Sequence, residues 1–198
     1  MMKAFCAATA MTIAGSSMAA DNAGNAPMIH RYLIERTFPA GAIDGVDAAA
    51  KRKVNANNST LDVTWEKSHV NEDKTKTYCV YTGPSEAAVR GAAKLSGLPV
   101  DSVVEIPKDI KAEPRGAAQA IAAGNHRYLV KRASSAQVNG SKDATFGVKL
   151  LTSYGAADQR DSFWVYEAPD FSAIERAAKA SGAPFESIAE IPETLYPN

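Results

Sequence analysis

The sequence predicts an α+β fold in which one β-α-β-β-α-β unit is written twice, and three observations carry that prediction. Val63 to Pro107 runs without a gap against Val148 to Pro192 at an offset of 85, with 17 of 45 positions identical. His30-Arg31-Tyr32-Leu33 returns as His126-Arg127-Tyr128-Leu129. Between these landmarks, strand patterns of period two alternate with two helical patterns, in the order of a ferredoxin-like unit. A repeat of this length is a whole small domain, not a solenoid unit. At about 70 to 80 residues each unit is marginal as an independent core. The expected architecture is therefore two tandem ferredoxin-like (βαββαβ) repeats docked sheet to sheet, the second lacking most of its first helix. The expected division is a signal peptide at 1–19, repeat one at 28–110, a linker at 111–124 and repeat two at 125–197.

In repeat one, Ile29 to Phe38 is rich in β-branched and aromatic residues and reads as a strand, broken by Pro39-Ala40-Gly41. Gly45 to Asn55 is Ala-rich and reads as a helix. Lys51-Arg52-Lys53 would sit near its negative end, and Asn57-Asn58-Ser59 would stop it. Leu61 to Val70 alternates as a strand, with Trp65, Lys67 and His69 on one face and Glu66 and Ser68 on the other. The turn cluster Asn71-Glu72-Asp73-Lys74 leads into Thr75 to Thr82, completing a hairpin. Ser85 is a good N-cap, Val89, Ala92, Ala93 and Ser96 share one helical face, and Gly97 supplies the left-handed stop. Val100 to Ile106 is the last strand.

Repeat two keeps this plan, with Asp170 as N-cap and Ile174, Ala177, Ala178 and Ser181 as the matching face. It spends 22 residues between its first His and its hairpin Val, where repeat one spends 33. The shortfall falls on the first helix, so Ser134 to Gly147 is read as that helix lost or cut to one turn. The linker holds an Ala-rich stretch, Ala117 to Ala123, with room for a short helix.

Composition narrows the function. Lys3, an uncharged apolar run from Ala4 to Gly15, and Ser17-Met18-Ala19 form an export signal with cleavage expected after Ala19. The expected location is the periplasm or the exterior. The apolar run is too short to span a bilayer, and no later segment is apolar enough to do so. Cleavage would leave one cysteine, Cys79, and so no internal disulfide. Lysine plus arginine and aspartate plus glutamate each number 22, which gives no basic field for nucleic acid or anionic lipid. No Gly-rich phosphate loop, His-Glu-x-x-His, Cys-x-x-Cys or Gly-x-Ser-x-Gly motif occurs. Large side chains on alternating strands, Trp65, Tyr81, Leu150, Trp164 and Tyr166, are more than one open sheet face can hide. Docking the two sheets would cover them and leave a cleft, with Trp65, Tyr81, Trp164 and Tyr166 as its candidate ligand-binding residues.

Trp65-Glu66-Lys67-Ser68-His69-Val70, Asp73-Lys74-Thr75-Lys76, Cys79-Val80-Tyr81, Pro84 and Gly97-Leu98-Pro99 resemble the DUF4242 family, the SCO4226-type nickel-binding proteins. Glu35-Arg36 fits the family's opening motif. The resemblance covers residues 29 to 107, and Val148 to Pro192 more loosely. It implies ferredoxin-like domains that assemble in pairs and a Ni²⁺ or other divalent transition-metal cofactor. The family's second-helix His would fall at Gly91-Ala92-Ala93 and Arg176-Ala177-Ala178, which carry none. His69 and Cys79, on the two strands of one hairpin, are the remaining metal candidates, since Ni²⁺ accepts imidazole and thiolate. Plainer roles are available to both: His69 as a hairpin residue, Cys79 as a small buried strand residue where repeat two has Trp164.

The other retained polar residues read as structural or as rim contacts. His30 and His126 are equivalent, as are Arg36 and Arg132. Glu35 and Lys131 are equivalent with opposite charges and could pair across the interface or face solvent. Asp73 and Asp158 cap hairpin turns, and Glu105 and Glu190 precede Ile-Pro in both halves. The leading expectation is a monomeric or dimeric binding protein for a metal or a small ligand in the inter-sheet cleft, with no catalytic residues. A cofactor-free enzyme of the dimeric α+β barrel type is the alternative from another class, supported by fold analogy alone. An interaction module without a ligand is the third.

Overall fold

Local signals place most elements of repeat one where the sequence puts them. A computed structural model describes residues 28–107, 120–133, 143–158 and 160–197. The expected signal peptide, most of the linker and residues 134–142 lie outside these. Repeat one runs β1 (His30–Thr37), α1 (Ala48–Ser59), β2 (Thr64–Val70), β3 (Lys76–Gly83), α2 (Glu86–Leu95) and β4 (Ser102–Ile106). Repeat two runs β5 (His126–Arg132), a 3-10 turn (Asp143–Phe146), β6 (Lys149–Gly155), β7 (Ser162–Ala168), α3 (Phe171–Ser181) and β8 (Ser187–Glu190), followed by β9 (Glu193–Leu195).

The caps behave as the sequence implies. The Ala88 amide donates to Ser85 Oγ (3.1 Å) and the Ala173 amide to Asp170 Oδ1 (2.7 Å). Gly97 and Gly182 take φ of 67° and 65° past the helix ends, where a β-carbon would be strained. The first helix is displaced from its expected span. Its N-cap is Asp47, whose side chain accepts from the Ala50 amide (2.8 Å). Asn57-Asn58-Ser59 forms its last turn instead of stopping it, because tertiary partners compensate for poor helix propensity. Asn57 Nδ2 donates to Leu95 O (3.2 Å) and Asn55 Nδ2 to Pro197 O (3.0 Å). Lys51-Arg52-Lys53 consequently falls in the first half of α1, away from its negative end.

Each repeat forms an antiparallel sheet with the same strand order: β4-β1-β3-β2 in repeat one and β8-β5-β7-β6 in repeat two. The sequence reading lacks β9. This strand leaves repeat two and pairs with the edge strand of repeat one, Ser68 to Leu195 and Val70 to Glu193. It satisfies backbone groups that an edge strand leaves open. In repeat two the described remnant at the site of the first helix is the single 3-10 turn, in which the Val148 amide donates to Asp143 O (3.0 Å). The described end of the linker is a turn, not a helix. The Ala122 amide and Asn125 Nδ2 both donate to Glu167 Oε1 (2.7 and 2.9 Å).

The sheets dock face to face over a shared core of Leu33, Tyr78, Val80 and Ile106 from one and Leu129, Tyr154, Phe163, Val165 and Ile191 from the other. The docking is reciprocal. The Glu72 amide donates to Glu190 O (3.1 Å), and the Ala157 amide to Glu105 O (2.7 Å). Glu72 and Ala157 are equivalent in the two repeats, as are Glu105 and Glu190, so the two bonds are one bond repeated by an internal twofold. Glu35 and Lys131 meet across it (Nζ to Oε2, 3.2 Å), so these equivalent positions pair across the interface.

Candidate functional site

A β-bulge decides which side chains face which layer. The pairing of β2 with β3 shifts register between Trp65 and Lys67, and that of β6 with β7 shifts between Leu150 and Thr152. The extra residues, Glu66 and Leu151, occupy equivalent positions. A bulge reverses side-chain parity along its strand. Trp65 therefore faces the helices, while Lys67 and His69 face the other sheet; the uniform alternation expected for Trp65, Lys67 and His69 is overturned. Glu66 is drawn into a bidentate pair with Arg31 (Nη2 to Oε2, 2.7 Å).

The expected cleft residues are displaced with it. Trp65 and Tyr81 pack on the helix side of the first sheet with Tyr32, Ile34, Cys79 and Val89. Tyr166, with Trp164 against it, packs on the helix side of the second sheet with Tyr128, Val130 and Ile174. None of the four belongs to the inter-sheet core, which aliphatic residues, Tyr78, Tyr154 and Phe163 fill. Leu150 covers nothing comparable and is 44% exposed.

His69 is fully buried between the sheets. Its Nε2 lies 3.2 Å from the hydroxyl of Tyr154, its equivalent in repeat two, and its Nδ1 lies 3.2 Å from Thr194 Oγ1 on β9. Burial, then the charges of Lys67 and Arg127, hold its pKa well below 6.5, so the imidazole is neutral. Cys79 lies on the opposite face of the sheet. It pairs with Ser68 across the hairpin and packs in the helix-side core, whereas His69 pairs with Tyr78, which belongs to the inter-sheet core. One ion cannot bridge His69 and Cys79 across the thickness of a sheet. The cations beside His69 oppose a metal there as well, and no group of three or more His, Cys, Asp or Glu side chains suited to a metal occurs among the described residues. The residues present do not fit a nickel centre built on His69 and Cys79.

The remaining polar residues settle into structural roles. His30 and His126 do not meet; each Nδ1 lies 2.7 Å from the glutamate of its own repeat, Glu105 and Glu190. Asp73 and Asp158 accept from the Thr75 and Arg160 amides in the hairpin turns (3.0 and 3.1 Å).

What opens in repeat one is a cavity of about 240 Å³ between α1 and the helix side of the sheet. Its walls are mainly apolar and include Phe38, Ile43, Val54, Trp65, Leu98 and Leu195. Leu195 comes from β9, so repeat two helps to close the cavity of repeat one. Cys79, Thr77 and Tyr81 line the sheet side, with Thr77 Oγ1 3.1 Å from Cys79 Sγ. Burial raises the Tyr81 pKa, and so does the Cys79 sulfur, while Arg36 opposes the rise. Arg36 is 2% exposed; it donates through Nη1 to Pro99 O, lies 5.7 Å from the Tyr81 ring centroid, and has no partner for Nε among the described residues. Lys51 and Lys53 line the cavity from α1. A signal for this site was present in the sequence: a small Cys79 where repeat two has Trp164, beside an arginine retained in both repeats. It was legible only to a reading that placed those positions under a helix.

Fold and site together define a tandem ferredoxin-like α+β protein with an apolar cavity, containing a buried guanidinium, under one helix. Residues 32–106 match the profile of the SCO4226-like family, described as nickel responsive protein SCO4226-like, so repeat one is similar to that family. No protein among the curated ones matches. Among solved structures, SCO4226 from Streptomyces coelicolor A3(2) is similar at 20% identity and a TM-score of 0.35, over 39% of this chain and 95% of that one. A putative monooxygenase from Lactobacillus acidophilus NCFM is similar at 8% identity and a TM-score of 0.43, over 86% and 97%. A mutant chlorite dismutase from Candidatus Nitrospira defluvii is similar at 7% identity and a TM-score of 0.40, over 83% and 90%.

Proposed function

We propose that this chain is an exported, non-catalytic binding protein that holds a small organic ligand in the cavity between α1 and the first sheet. The cavity carries the reading. Interiors are close-packed with few voids larger than a water molecule, and a space of about 240 Å³ corresponds to roughly eight waters at about 30 Å³ each. Concave, mostly apolar spaces with few polar groups are the usual form of small-molecule sites. Export rests on Lys3, the apolar run and Ser17-Met18-Ala19. Protein recovered from its native host should begin at Ala20 or within a few residues of it.

The site is tested by amide NMR titration with 1-octanol. Shifts are expected at α1, Trp65, Cys79 and Tyr81, with Leu33, Val80, Leu129 and Val165 unmoved. Shifts confined to the inter-sheet residues would move the site back to the interface, and no shifts at all would end the reading. Nickel responsiveness comes from the family description alone, and coordination by His69 and Cys79 together is no part of this proposal. Calorimetric titration with Ni²⁺ should give no heat that His69→Ala or Cys79→Ser abolishes.

A further inference from the structure

The equivalent arginines of the two repeats are both buried, each with an Nε that has no partner among the described residues, and they differ in their surroundings. Arg132 is buried on the helix side of repeat two and donates to Ala183 O and Pro184 O (3.0 Å to the latter). Asp143 is a buried carboxylate on the 3-10 turn described at the place of the first helix. Burial raises the Asp143 carboxyl pKa, and the Arg132 guanidinium opposes that rise, so the two groups feel each other's charge. Arg36 is equally buried, yet no carboxylate among the described residues pairs with it. Its neighbour Glu35 is committed elsewhere, to Lys131 Nζ (3.2 Å) and Ser102 Oγ (3.0 Å). A buried charge is tolerated when it is paired and hydrogen-bonded and is costly otherwise. Arg36 is also the arginine that lines a cavity.

We propose that the cavity under α1 takes a small amphipathic monocarboxylate, whose carboxylate gives the buried Arg36 guanidinium a counter-charge. The inference rests on the cavity being the ligand site and adds the class of ligand. Three observations define the class. One guanidinium, part of whose donor capacity is spent on Pro99 O, matches one negative charge better than two. The apolar walls, with Trp65, Phe38 and Tyr81 among them, match an alkyl or aromatic body. The volume limits that body to about eight non-hydrogen atoms, at about 30 Å³ per water-sized unit. Lys51 and Lys53 on α1 would favour approach of an anion and would be screened by salt. No bond is made or broken; this is binding.

The test is calorimetric titration of the mature protein with sodium octanoate and 1-octanol, which share a body and differ in charge. Octanoate is expected to bind at least tenfold more tightly, and Arg36→Met to abolish that preference while octanol still binds. Equal affinity for the two probes would overturn the monocarboxylate inference and leave the cavity as the site. Binding of neither would overturn both. If Arg36→Met does not fold, wild-type protein still decides through octanoate labelled with ¹³C at its carboxyl carbon. A bound pKa below that of free octanoate means a cation holds the carboxylate ionised; a raised bound pKa would sink the inference.

Discussion

The helix side of repeat one and the helix side of repeat two solve the same packing problem differently. In repeat two the residues described at the place of the first helix form a 3-10 turn, Trp164 stacks on Tyr166 (ring centroids 6.4 Å apart), and the charge of the buried Arg132 acts on the Asp143 carboxyl. In repeat one a full helix covers the sheet, Cys79 stands at the position of Trp164, and space remains beside an arginine that no carboxylate among the described residues pairs with. A duplicated unit needs only one copy to keep the fold rigid. Here repeat two supplies half of the inter-sheet interface and the strand that seals its partner's edge, while repeat one holds the apolar cavity under α1.

That division can be broken most severely where the repeats share a core. Phe163 is fully buried between the sheets, with its ring centroid 6.5 Å from that of Tyr78. Phe163→Ala should cost about 3–5 kcal/mol, and calorimetry should show both repeats melting in one transition. Two separate transitions would mean that the repeats are independent. Next in size is the exchange of the residues that distinguish the helix faces. Trp164→Cys should cost about 2–4 kcal/mol in urea unfolding by opening space in repeat two. Cys79→Trp should fill the cavity and abolish octanol binding in the calorimeter, at a cost of about 1–3 kcal/mol for overpacking. Binding that survives Cys79→Trp would place the ligand elsewhere.

Removing residues 193–198 strips β9 from β2 and Leu195 from the cavity wall. A loss of about 1–3 kcal/mol is expected from the lost strand hydrogen bonds, with octanol binding weakened and hydrogen exchange faster at β2. His69 tests the interface by pH. Its folded pKa lies well below 6.5, so below that pH the unfolded chain binds the extra proton and stability falls with acid. The slope should approach about 1.4 kcal/mol per pH unit, and His69→Gln should remove it in denaturation curves at about pH 7 and about pH 5. The smallest effect is one on which the repeats should agree. Gly97→Ala and Gly182→Ala each force a β-carbon into left-handed backbone and should cost about 1 kcal/mol apiece by thermal melting.

Period and punctuation made the element order readable. Ser85 and Asp170 mark helix starts, Gly97 and Gly182 mark helix ends, and the 85-residue offset carries each assignment from one repeat to the other. The site was not readable in the same way. Counting alternation from Trp65 puts His69 beside it, but a single bulged residue, Glu66, reverses the count. The aromatics assigned to a cleft between sheets belong under the helices, because size alone does not say which face of a two-faced sheet receives a side chain.

By itself the sequence determined the repeated β-α-β-β-α-β order, the caps, the shortened segment in repeat two and the opposite charges at Glu35 and Lys131. These follow from local propensity and from comparing the chain with itself. Only the tertiary structure decided that Glu35 and Lys131 meet, that β9 crosses to the other repeat, and that His69 and Cys79 face apart. It also decided that Arg36 ends buried beside a cavity whose described lining carries no carboxylate. Each of these depends on groups far apart in sequence and on the parity of a pleated strand, which one extra residue inverts.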